Sequence, residues 1–81
     1  MKAKIFIKYK EGILDPQGTV TNKALKSINI KGIDYIGIGK YIEMNFKKNI
    51  NKNSAQTIAE DSCKKMLANP NTETYSFVIE D

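Results

Sequence analysis

The 81-residue chain reads as an α+β protein of the β-α-β-β-α-β kind. The expected form is a two-layer sandwich, ferredoxin-like or a variant of it, with an antiparallel sheet and two helices on one face. Three observations predict this. Period-two alternation of apolar residues marks both ends of the chain, at Lys2–Lys10 and Glu73–Asp81. Helical periodicity marks two interior stretches, from Val20 to Ile28 and from Ile58 to Leu67. Between them, residues 35–47 alternate again and are bounded by glycine and polar residues. Residues 1–81 are expected to form one domain. A chain of this size buries only about 60–65% of its unfolded surface, so small domains often gain stability by associating.

In the first strand, Ala3, Ile5, Ile7 and Tyr9 fall on one face and Lys2, Lys4, Lys8 and Lys10 on the other. Phe6 stands among the lysines, as a lone exposed aromatic or as a contact with another subunit. The turn that follows, Glu11-Gly12-Ile13-Leu14-Asp15-Pro16-Gln17-Gly18, carries a helix start: Asp15 as the capping acceptor and Pro16 at the first helical position. Capping leaves Gly12, Gln17 and Gly18 unexplained, since glycine in a first helical turn costs roughly 0.5–1 kcal/mol against alanine. Val20, Ala24, Leu25 and Ile28 then predict a helix of about three turns packed on the sheet. Asn29 and Gly32 bracket its end, with Ile30 expected to return to the core.

Residues 35–47 are either two strands, Tyr35–Gly39 and Tyr41–Lys47, or one long strand bent near Gly39-Lys40. Gly37-Ile38-Gly39 is a poor match to a phosphate-binding loop, lacking a third glycine and a following helix; a bulge or close backbone approach is the better reading. A polar connection, Lys47–Asn53, leads to a second helix capped by Asn53 or Ser54. Its apolar face holds Ile58, Ala59, Ser62, Cys63, Met66 and Leu67. Asn69-Pro70 ends it, because a residue before proline is pushed out of the helical region. In the closing strand Tyr75, Phe77 and Ile79 oppose Ser76, Val78 and Glu80, so that Phe6, Tyr41 and Val78 are expected on the open sheet face.

Composition narrows the chemistry. There is no histidine, all 13 basic residues are lysine, and the one cysteine, Cys63, lies on the apolar helix stripe. Histidine-based triads and metal sites are therefore excluded, as is bidentate arginine recognition of phosphate, carboxylate or guanine. The net charge of +4 sits in the N-terminal half and is compatible with nucleic acid, an acidic partner or simple solubility. No apolar run approaches the ~20 residues of a membrane span, and Met1-Lys2-Ala3-Lys4 enters a strand pattern with no signal-peptide core, so a cytoplasmic protein is expected. Three classes compete: a nucleic-acid or small-ligand module on an open sheet, a small stand-alone enzyme, and a non-catalytic subunit. The missing arginine and histidine and the absence of paired carboxylates favour the third.

Three blocks carry a resemblance: Lys10-Glu11-Gly12-Ile13-Leu14-Asp15-Pro16-Gln17-Gly18, then Gly39-Lys40-Tyr41-Ile42-Glu43, then Cys63-Lys64-Lys65-Met66-Leu67-Ala68-Asn69-Pro70. In order and spacing they resemble the PurS family, the small subunit of formylglycinamidine ribonucleotide synthase. The resemblance implies a non-catalytic homodimer in de novo purine biosynthesis, joining a PurQ-type glutaminase to a PurL-type synthetase and helping ammonia pass between them. It implies no cofactor in this chain; ATP and Mg would be used by the synthetase subunit. Neither nucleic acid nor a membrane is an expected partner. Contacts with partners or a second copy are expected at Gly12, Asp15, Pro16, Gln17 and Gly18, at Phe6, Lys40 and Tyr41, and at Asn69 and Pro70. The chain departs from the family pattern at Gly37, where arginine is common, and at Asn71 and Thr72, where apolar residues usually follow the proline.

Overall fold

A computed structural model describes residues 1–81. Strand β1 (Lys2–Tyr9) is central in a three-stranded antiparallel sheet, flanked by β2 (Lys40–Asn45) and β3 (Glu73–Glu80) in the order β2-β1-β3. Its alternation decides its place: Ala3, Ile5 and Ile7 are buried, and each strand neighbour adds a half-buried row, Ile42 and Met44 on β2 and Tyr75, Phe77 and Ile79 on β3.

Helix α2 (Lys52–Ser62) covers this face through Ala55 and Ala59, continued by Cys63. Residues four apart make one stripe on a helix, and small side chains let the backbone approach the sheet closely. The stripe is narrower than expected: Ile58 is 39% exposed and turned aside. The helix also begins earlier than expected, because Asn51, not Asn53 or Ser54, is the cap, accepting from the Ser54 N–H at 2.8 Å. Cys63–Leu67 forms a π-turn closed by the Ala68 N–H on the Cys63 carbonyl, 3.1 Å. The wider turn rotates Met66 outward, to 84% exposure, and brings Ala68 into the core in its place. Met66 is thus not part of the buried stripe.

Helix α1 (Pro16–Ser27) starts where the capping signal places it and ends at Asn29, whose φ of 68° supplies the left-handed cap. Its packing differs from the expectation. Gly18 is its only buried residue, while Val20 and Ile28 are 67% and 65% exposed and Ile30 does not return to the core. The reason lies in the segment after it. Residues 30–39 form no strand in this chain, so the expected β-β pair is a single strand, β2, preceded by an extended strap. The strap carries α1 away from the sheet instead of folding it back. The fold is therefore the three-stranded, two-helix variant of the expected sandwich, with α2 alone on the sheet. The radius of gyration is 16.3 Å, where a compact chain of this length has about 11.7 Å.

Candidate functional site

Part of each of the three sequence blocks lies at one end of the sheet. Lys10, at the end of β1, donates from its backbone N–H to Thr72 (2.9 Å) and from Nζ to the Pro70 carbonyl (2.7 Å). Asn69 donates its N–H to Glu73 Oε1 (2.7 Å), and its own Oδ1 accepts from Asn71 (2.9 Å). Lys40 Nζ lies 3.9 Å from Glu73 Oε2. The Asn69-Pro70 loop is thereby stitched to the strand that leads into the Gly12–Gly18 turn, and Lys40 stands beside both. A cavity of about 820 Å3 opens here between the turn and the strap, with Ile13, Leu14, Tyr35 and Ile38 as apolar walls and Lys8 and Lys10 at its rim.

Asp15 is the centre of the turn. It is 1% exposed, and its two carboxylate oxygens have separate duties. Oδ1 accepts from the Gly18 N–H at 2.9 Å and so caps α1; Oδ2 accepts from the Ile38 N–H at 2.6 Å and so fixes the strap. Charge-assisted acceptance from two amides favours the ionised form. The Ile38 amide first, then that of Gly18, holds the carboxyl below its ordinary range despite the opposing effect of burial. Gly18 completes the clasp by having no side chain: a Cβ there would stand 1.8 Å from the Ile36 carbonyl oxygen. Gly39 serves the other end of the strap, since a Cβ would lie 2.3 Å from the Ile7 carbonyl oxygen, the close backbone approach expected of a glycine here. Gly12 has φ 82°, in the left-handed region. Pro16 sits at the start of α1. Gln17 is exposed, and its backbone carbonyl accepts from Thr21 Oγ1 at 2.8 Å.

A second group lies on the open sheet face. Phe6 and Tyr41 stand opposite each other in the β1–β2 register, with ring centroids 5.3 Å apart, and Val78 is 53% exposed on the same face. The Tyr41 hydroxyl donates to Glu43 Oε2 at 2.9 Å. Desolvation, then this acceptor, raises its pKa. Lys2 and Lys4, on one side of the aromatic pair, are matched by Glu43 at 3.8 Å and Glu80 at 3.1 Å. Two of the lysines on this face are thus paired with carboxylates of the neighbouring strands. Cys63 is buried and its thiol pKa is raised, chiefly by desolvation, which suits a core residue and not a nucleophile. No three His, Cys, Asp or Glu side chains converge as a metal set.

The structure therefore brings together Gly12, Asp15, Pro16, Gln17, Gly18, Lys40, Asn69 and Pro70 at one end, and sets Phe6 and Tyr41 apart as a pair on the open face. What the sequence does not reveal is the strap's share: the backbone groups of Ile36 and Ile38 are the partners of Gly18 and Asp15. Backbone contacts leave no side-chain signature. Their only trace is the excess of glycine on both sides of the contact.

Comparison with known proteins matches residues 2–81 to the family model "PurS: Phosphoribosylformylglycinamidine (FGAM) synthase". The chain is 32% identical over 80 residues to the phosphoribosylformylglycinamidine synthase subunit PurS of Bacillus subtilis, covering 99% of this chain and 93% of that one. It is 35% identical over 78 residues to the corresponding subunit of Archaeoglobus fulgidus, covering 96% of each. Among solved structures, it superposes on Methanocaldococcus jannaschii PurS with a TM-score of 0.86 at 30% identity, covering 99% and 95% of the two chains. It superposes on a chain of the structure of PurLQS from Thermotoga maritima with a TM-score of 0.69 at 25% identity, covering 95% and 93%. With part of each of three sequence blocks gathered at one end of the sheet and a match that runs almost the whole length, this chain belongs to the PurS family of FGAM synthase.

Proposed function

We propose that this chain is the non-catalytic subunit of a cytoplasmic, ATP-using FGAM synthase. In that role it joins a PurL-type synthetase to a PurQ-type glutaminase and assists ammonia transfer during purine biosynthesis. The observation that carries the reading is the convergence of parts of the three family blocks into one rigid end, where Asp15 and Gly18 hold the framework while Gln17 and Lys40 stay exposed. Such an end offers surface without reactive groups, and the nucleophile and phosphate-handling residues then belong to the other subunits. The similarity to a chain of Thermotoga maritima PurLQS supports an assembly of this kind.

We further propose that the working form is a homodimer, with residues 1–81 acting as one unit. Support comes from Leu14, Val20 and Ile28, each more than 60% exposed, on and beside a helix that does not pack on the sheet of its own chain. The test is reconstitution. The chain alone is expected to show neither glutaminase nor synthetase activity, and to restore glutamine-dependent amidine formation when mixed with the two other subunits. Equal glutamine-dependent activity without it would overturn the reading.

A further inference from the structure

The margin of the sheet away from β2 and the strap is the outer edge of β3, which has no neighbour in the order β2-β1-β3. Its parity follows from the ladder. Lys10 donates its N–H to the Thr72 carbonyl at 2.9 Å, and bonded pairs alternate along an antiparallel ladder. The even-numbered residues of β3 therefore turn their backbone groups to β1, and Tyr75, Phe77 and Ile79 turn theirs outward. No strand, turn or cap bonds those outward groups. Sheets commonly blunt such an edge with lysine, proline or a bulge. β3 carries neither lysine nor proline, and its register with β1 runs unbroken from Glu73 to Glu80. It offers a straight edge of about 26 Å.

The same three residues carry their side chains on the helix face, half-buried against the core. Beside them α2 forms a wall. Phe77 is the floor of an open groove of about 380 Å3, whose other sides are Gln56, Thr57, Glu60 and Asp61. Glu60 is already engaged: it accepts from the Tyr75 hydroxyl at 2.8 Å and lies 3.4 Å from Lys64 Nζ. Asp61 is exposed and forms no ion pair. A free strand edge gives main-chain affinity, and a side-chain groove next to it gives selectivity; together they suit the uptake of an extended peptide.

We propose that the β3 edge takes up an extended segment of another polypeptide as an added strand, with a lysine or arginine of that segment opposite Phe77 and apolar residues opposite Tyr75 and Ile79. The three residues stand two apart, so all of them form bonded pairs with β3 and all share the helix face. The groove sets the central choice. A long basic side chain lays its methylene stem on the Phe77 ring and carries its cation to Asp61. The flanking apolar residues cover what β1 and α2 leave exposed of Tyr75 and Ile79.

Charge also decides against a second copy on this edge. Antiparallel pairing of β3 with β3 about a two-fold axis would set both α2 helices on one side of the joined sheet. Glu60 and Asp61 of each would then face those of the other, and like charges so placed repel. The proposal goes beyond the subunit reading and does not depend on it.

The probe is the heptapeptide acetyl-Thr-Val-Thr-Lys-Thr-Val-Thr-amide, titrated into the isotope-labelled full chain and followed by NMR and amide exchange. Saturable shifts are expected at Tyr75, Phe77 and Ile79, whose amides gain protection on binding, while the even-numbered amides of β3 are protected throughout. Asp61→Lys exchanges attraction for repulsion at an exposed position and is expected to weaken binding roughly five- to tenfold with melting unchanged. Glutamate in place of the peptide's lysine should weaken it as much, and N-methylation of that lysine and the two valines should abolish it. Binding that survives N-methylation, equal binding of the glutamate peptide, an Asp61→Lys chain that binds as tightly as the parent, or shifts centred elsewhere would each overturn the proposal. So would failure to approach saturation by about 1 mM peptide. Protection of the Tyr75, Phe77 and Ile79 amides in the chain alone, lost on dilution, would give the edge to a second copy and overturn it equally.

Discussion

Replacing Gly18 by alanine tests the clasp by the sign of its effect. In an unobstructed helix, glycine to alanine stabilises by roughly 0.5–1 kcal/mol, because it restricts the unfolded chain and fits the helical backbone. At Gly18 the new Cβ would stand 1.8 Å from the Ile36 oxygen and 2.9 Å from its carbonyl carbon, both backbone atoms that cannot swing aside. Carbon makes its favourable contacts at ~3.5 Å and beyond, so the strap must retreat by roughly 1.5 Å or more. The hydrogen bond from Ile38 to Asp15, now 2.6 Å, would open to about 4 Å, past any useful geometry.

Overpacking of this kind costs about 1–3 kcal/mol, and the lost hydrogen bond adds to it. The expected net effect of Gly18→Ala is therefore a destabilisation on the order of 2 kcal/mol, which in a chain of this size lowers Tm by about 10 °C. Chemical denaturation and thermal melting at matched concentration read the change, and exchange of the Ile38 amide reports the clasp directly. A variant that melts higher than the parent, or that keeps Ile38 protected, would refute the reasoning.

Three further outcomes follow from the same geometry. The Asp15 carboxyl is held below its ordinary range by the Ile38 and Gly18 amides, so its contribution to stability is present above the unfolded-state value of ~4 and is lost as pH falls below it. Asp15→Asn should be less stable than the parent at neutral pH and show a shallower loss below about pH 4, measured by denaturation across pH. Gln17→Ala should leave melting unchanged, since the side chain is exposed and its carbonyl contact is retained, but should weaken co-elution with the other two subunits on size-exclusion. Met66→Ser should stay within about 0.5 kcal/mol of the parent in denaturation, because the π-turn places that side chain in solvent.

Most of the fold is legible in the sequence because it is written in side-chain periods. The alternation around Ile5 and Ile7, the Ala55–Ala59–Cys63 stripe and the Asp15-Pro16 cap each have a local physical cause within a few residues. The departures share a different cause. Met66 belongs to the buried stripe only of a regular helix, and a π-turn shifts every later residue around the axis. The stripe of Val20, Leu25 and Ile28 points to the sheet because apolar residues need cover, but periodicity says that a face is covered and not by which chain. The site is legible only in half. Asp15 declares itself as a cap, while its second partner, the Ile38 N–H, lies 23 residues away and carries no side-chain mark.

These points change what the Gly12–Gly18 turn is for. A cap alone needs one acceptor and tolerates alanine at the third helical position; this turn uses both carboxylate oxygens and forbids a side chain at Gly18. The added demands all bear on the strap. With the Ile38 N–H bonded to Asp15 and the Ile36 carbonyl lying against Gly18, the turn holds the strap down at two points. Fixing a free strap costs the entropy of several residues, roughly 1–2 kcal/mol each. The clasp settles much of that cost within the folded chain, where the capping of α1 shares it. The turn is then a device for fixing the strap to the start of α1, and the exposed side chain of Gln17 takes no part in that clasp.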